Sequence, residues 1–178
     1  MHAESPRVTK RVDVTARDRT SVAALAGAWA LGALALNLAW ELAQLPLYTL
    51  DHDADRGYVL RSLLHCTAGD VLIALGSYLV AALGVRDARW PLTKPLGGIC
   101  LATAAGLAYT AASEAVNVYV LGSWAYREAM PRLLGIGVSP LAQWLLLPGV
   151  ALLLVRRGFA RTDARIPNGH ASPRATRR

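Results

Sequence analysis

The chain has 178 residues, 54% of them hydrophobic, a single Phe and a formal net charge of +7; its mean hydropathy is +0.32 and its pI about 10.0. Apolar content this high is unusual for a soluble domain of this size and points first to a membrane protein. Cys66 and Cys100 lack a C-x-x-C spacing, which excludes a redox motif or thiolate zinc site, and there is no phosphate loop, G-x-S-x-G or H-E-x-x-H.

Four apolar stretches, Val22 to Leu45, Val59 to Leu83, Gly97 to Leu121 and Val138 to Val155, each approach the ~20 residues that cross a hydrocarbon layer of ~30 Å. They predict an all-α integral membrane four-helix bundle in residues 21–156, between a basic tail (residues 1–20) and a second basic tail (residues 157–178) expected to be disordered. The first stretch contains Ala33-Leu34-Ala35, which would suit a signal peptidase, but its polar lead and long apolar run point to an uncleaved anchor.

Basic residues alternate with the stretches. Fifteen lie in the two tails and the loop holding Arg86, Arg89 and Lys94, against four (Arg56, Arg61, Arg127 and Arg132) in the loops of the opposite side, which also hold Asp51, Asp53 and Asp55. By the positive-inside rule both termini and the second loop of such a multi-pass protein are cytoplasmic. Basic tails beside anionic lipid explain the charge, and nucleic acid is not expected as a partner.

Three stretches contain a carboxylate: Glu41, Asp70 and Glu114. A charge in mid-bilayer costs at least ~2.5 kcal/mol on insertion scales, so such groups turn inward and serve a function. In the first stretch Asn37, Glu41, Gln44 and Tyr48 follow steps of four, three and four and share one helical face. In the second, His65 and Asp70 are five residues apart and point about 140° from each other, too far for one small ligand. In the third, Thr110, Ser113, Glu114 and Asn117 share a face, and the small row Gly98, Ala102, Gly106 leading to Glu114 is expected to let helix backbones pack closely.

The third loop carries Gly122-Ser123-Trp124-Ala125-Tyr126, then Pro131, Gly135 and Gly137, with Pro140 opening the fourth stretch ahead of Gln143 and Trp144. That punctuation suggests a structured cap, while Trp124, Tyr126, Trp90, Tyr48 and Tyr119 also suit an interfacial aromatic belt. Measured inward at ~1.5 Å per residue, Glu41, His65, Glu114 and Gln143 fall roughly 8 to 10 Å below the outer surface, with Asp70 and Asn37 near ~16 Å.

Two resemblances attach to these residues. The set Asn37-Leu-Ala-Trp-Glu-Leu-Ala-Gln-Leu-Pro-Leu-Tyr48, Leu64-His-Cys-Thr-Ala-Gly-Asp70, Ser113-Glu-Ala-Val-Asn117, Gly122-Ser-Trp-Ala-Tyr126 and Ser139-Pro-Leu-Ala-Gln-Trp144 resembles a family of small, uncharacterised bacterial four-helix inner-membrane proteins. The segment Glu114 to Trp144 also resembles part of the carotenoid-hydratase membrane family, which has a Glu, a Gly-x-aromatic-x-Tyr loop and a Pro-Leu-x-x-Trp helix start.

The expected site is an outward-facing polar pocket. Glu41, His65 and Glu114 are the candidate acid–base groups, and Asn37, Gln44, Asp70, Asn117, Trp124, Tyr126 and Gln143 the candidate ligand-binding groups. His65, Glu41 and Glu114 are also the candidate ligands of a divalent metal. The functions left open are an accessory, assembly or ligand-binding protein, an enzyme acting on a lipid or polyprenoid, and an oligomeric transporter or proton relay. Membrane lipid, a membrane-protein partner or a second copy of the chain are the expected partners.

Overall fold

The computed structural model describes residues 21–49 and 55–165; the tail 1–20, the loop residues Asp51 and Asp53 and the last part of the C-terminal tail lie outside the described residues. It is all-helical, and four helices are long and apolar enough to cross a membrane. They are α1 (Val22–Gln44), α2 (Arg56–Val85), α4 (Pro95–Val116) and α5 (Val138–Arg165), with a short α3 (Trp90–Thr93) before α4.

Each boundary has a local cause. The Ser21 hydroxyl accepts from the Ala24 amide at 3.1 Å and caps α1, which gives way to a 3-10 turn over Leu45–Leu47 where Pro46 has no amide hydrogen to donate. α2 ends at Arg86 in the left-handed region (φ 53°), and the Lys94 ammonium donates to the Val85 carbonyl at 2.7 Å, a cation on a helix C-terminus. Pro95 opens α4, where its missing amide hydrogen costs nothing. α4 then closes through a π-type turn, Asn117–Leu121, whose cap Gly122 has φ 61°.

α1 and α4 each pack on both α2 and α5, so the four long helices form a ring in chain order. Contacts at the two ends, Trp29 with Trp90 and Tyr48 with Tyr126, make neighbours antiparallel. The N-terminus of α1, the α2–α4 connection and the C-terminal half of α5 therefore share one end. The core of that end is aromatic: Trp29 meets Trp90 edge-on at 5.3 Å, and Tyr78 lies 5.5 Å from Trp90. Their polar edges are satisfied, with Trp29 Nε1 donating to the Ala74 carbonyl, Trp90 Nε1 to the Tyr78 carbonyl and the Tyr78 hydroxyl to the Ala88 carbonyl. Outward faces carry Leu31, Leu72, Leu83, Leu96 and Leu146, all exposed.

Four expectations change. Trp90, read as a belt residue, is wholly buried in this aromatic core. The row Gly98, Ala102, Gly106 seats indole rings rather than a helix backbone: a Cβ on Gly98 would collide with Trp90, and one on Gly106 with Trp144. Tyr48, also read as a belt residue, is buried at the opposite end. The C-terminal tail is helical as far as Arg165, ten residues beyond Val155, because it is rich in Arg and Ala and packs Phe159 against the core.

The opposite end has a structured cap. Strands β1 (Arg132–Leu133) and β2 (Ile136–Gly137) pair antiparallel around Leu134-Gly135, whose φ values of 51° and 86° are those of the tight hairpin turn matching strand twist. The Tyr119 hydroxyl donates to the Gly135 carbonyl at 2.6 Å. Residues 125–127 are tied to the end of α1: Thr49 N donates to the Ala125 carbonyl, Arg127 N to the Leu47 carbonyl, and Arg127 Nε to the Tyr48 carbonyl at 2.8 Å.

Candidate ligand pocket

Below that cap, Gln143 on α5 is the hub of a buried polar network. Its amide nitrogen donates to Asn37 Oδ1 at 2.8 Å, Asp70 Oδ2 at 3.0 Å and, more weakly, Glu41 Oε1 at 3.4 Å. An amide nitrogen has only two hydrogens, so the longest of the three is shared. Gln44 closes the circuit: its nitrogen donates to Glu41 Oε1 at 2.8 Å and to Gln143 Oε1 at 3.4 Å, while its oxygen accepts from Ser139 Oγ and Trp40 Nε1. Asn37 turns its own nitrogen back to the Ala33 carbonyl. Glu41 and Asp70 are thus joined through the one Gln143 amide that donates to both.

Glu114 forms a second centre. Its Oε2 accepts from the Tyr126 hydroxyl at 2.5 Å and from the Tyr48 hydroxyl at 3.5 Å. Burial, and next the neighbouring Glu114, push both phenol pKa values above the usual tyrosine range, so both remain donors. Trp124 stands edge-on to Tyr48 with its indole N–H buried beside Glu114, close to the carboxyl but short of a well-formed hydrogen bond.

Both centres open into one cavity of about 610 Å³. Its polar end is walled by Glu41, Gln44, Asp70, Glu114, Trp124 and Gln143; its far part runs along α2 past Ile73, Gly76 and Val80 and along α4 past Ala105 and Tyr109. On α2 the lining residues Ser62, Cys66, Gly69, Ile73, Gly76 and Val80 alternate steps of four and three, a single stripe spanning roughly 27 Å at 1.5 Å per residue. Gly69 and Gly76 leave this stripe hollow, since a Cβ at either would meet nothing within 4 Å. Leu72, Val80 and Tyr109 are exposed, so the apolar arm opens laterally between α2 and α4.

The structure brings together Asn37, Glu41, Gln44, Asp70 and Gln143 in one network, and Glu114 with Trp124 and Tyr126 in the other. The two depths read from the sequence merge, because Gln143 reaches down to Asp70 and Asn37. His65 and Asp70 do share the cavity, on opposite flanks of the α2 stripe, with His65 exposed and Asp70 buried. Asn117 lines the cavity but turns its nitrogen to the Ser113 carbonyl. Among the described residues no three His, Cys, Asp or Glu side chains converge as a metal-binding group, so His65, Glu41 and Glu114 do not form a ready coordination sphere. Sequence reasoning missed Tyr48, Ser139 and Thr110 as site residues; the face pattern of the first stretch held the signal for Tyr48 and that of the third for Thr110, while none pointed to Ser139. No family model, curated protein or solved structure matches the chain.

Proposed function

We propose that this chain is a multi-pass protein of the bacterial inner membrane, with both termini and the 86–94 loop cytoplasmic, that binds an amphiphile taken laterally from the bilayer. The observation that carries this reading is the shape and lining of the cavity, with acids, amides and phenols at one end and a hollow apolar stripe opening toward lipid at the other. The charge asymmetry of the loops supports the orientation, which puts the polar end on the outer side. An accessory or ligand-presenting role fits a small protein of this kind, alone or beside a membrane partner.

One feature favours a second reading, chemistry on the bound molecule. The motif residues behind the carotenoid-hydratase resemblance, Glu114, Trp124, Tyr126 and Trp144, line or adjoin the same cavity as Glu41 and Asp70. Several carboxyl groups around one cavity are the kind of groups that acid–base catalysis uses.

The binding reading is tested by native mass spectrometry of protein purified from its own membranes in mild detergent. A retained lipid-sized adduct is expected, and Gly76→Leu, which fills the hollow stripe, should remove it while the protein stays folded. Absence of any adduct in the unmodified protein, or its survival in Gly76→Leu, contradicts the reading.

A further inference from the structure

Resting on that amphiphile-binding reading, we infer that the head of the bound molecule is uncharged and bears a hydroxyl group, and that the site rejects phosphorylated lipids.

The wall chemistry argues this from two directions. Among the described residues lining the cavity, three are carboxylic acids and none is Lys or Arg; His65 is the one side chain there able to gain a positive charge, and it is exposed at the flank. Arg127, adjacent in sequence to Tyr126, is held on the Tyr48 carbonyl. A phosphate entering this end would meet like charge where the dielectric is low, without the arginine or lysine that phosphate sites use.

The unsatisfied groups argue against a cation as well. The Thr110 hydroxyl is buried and unpartnered, and the buried Trp124 indole N–H lies beside Glu114 without making a well-formed hydrogen bond to it; Thr110 is 7% exposed and both residues line the cavity. An indole N–H only donates, so its partner must accept, and an ammonium has nothing to accept with. Glu114, against which Trp124 lies, has acceptor capacity beyond its two phenols, so its partner must donate. A hydroxyl does both, accepting from Trp124 and donating to Glu114. Leaving a buried donor without a partner is unfavourable, which makes such a headgroup the one that completes the site.

The test is binding of three single-chain probes to the full protein in phosphatidylcholine nanodiscs: 1-oleoylglycerol, its phosphate ester lysophosphatidic acid, and oleylamine. Oleoylglycerol should bind at least tenfold more tightly than either charged analogue, and Trp124→Phe should reduce that preference at least fivefold. If Trp124→Phe does not fold, Thr110→Val reads the same loss. Equal or tighter binding of lysophosphatidic acid or oleylamine overturns the headgroup assignment, and so does failure of oleoylglycerol to bind. In that last case an adduct retained by the protein from its own membranes leaves the pocket standing, whereas the lack of one removes both.

Discussion

Gln143 on α5 donates to Asp70 on α2 over 3.0 Å, joining the two helices that stand diagonally across the ring. Because the same nitrogen also reaches Asn37 on α1, one amide fixes three helices at the depth where the cavity turns polar.

Removing that amide should therefore loosen the bundle. Gln143→Leu leaves Asn37 Oδ1 and Asp70 Oδ2 without their donor, at about 1–3 kcal/mol for each unsatisfied buried group. Thermal unfolding in detergent should show a clear drop, and an unchanged midpoint would mean that the network does not hold the helices.

Filling the cavity should do the opposite. Gly69→Leu and Gly76→Leu place side chains in open space and replace the poorest helix former short of proline, a gain of up to about 1 kcal/mol each. On protein stripped of lipid, unfolding midpoints equal to or above the parent's are expected, and in lipid the variants should bind no amphiphile. A lowered midpoint would show that the hollow is filled by protein in the membrane.

Gly106→Ala tests the indole seat. The added methyl meets the Trp144 ring, and overpacking of this kind costs about 1–3 kcal/mol. A compensating Gly106→Ala, Trp144→Leu pair should recover part of that loss in the same unfolding measurement; no recovery would place the strain elsewhere.

The phenols that hold Glu114 give a pH signature. The pKa of Tyr126 is raised in the folded chain above its ordinary value of 10.0, first by burial and then by its bond to Glu114, so the fold holds this proton more tightly than the unfolded chain does. That stabilisation is complete below pH 10 and is lost as the pH climbs past it. Tyr126→Phe should flatten the fall in unfolding midpoint between about pH 10 and 12; an equally steep fall in the variant would assign the effect to other groups.

Much of this was legible in the sequence. The four apolar lengths marked the four long helices, and the steps joining Asn37, Glu41, Gln44 and Tyr48 marked one wall of the site. An interior position for Glu114 followed from the small row before it, although that row turned out to receive Trp90 and Trp144. Such partners are invisible locally, since an indole near a loop reads the same whether it faces headgroups or folds back onto Trp29. The angle between His65 and Asp70 was right but was set against a compact ligand; a cavity as long as the α2 stripe accommodates both. Tyr48 at Glu114 and Ser139 at Gln44 are long-range contacts that no helical period announces.

The most direct test is an experimental structure of the chain in nanodiscs made from its own membrane lipid. Elongated non-protein density should start beside Glu114 and Trp124 and run past Gly69, Ile73 and Gly76 between α2 and α4. A groove closed by α2 and α4 side chains, or one holding water alone, would contradict the account.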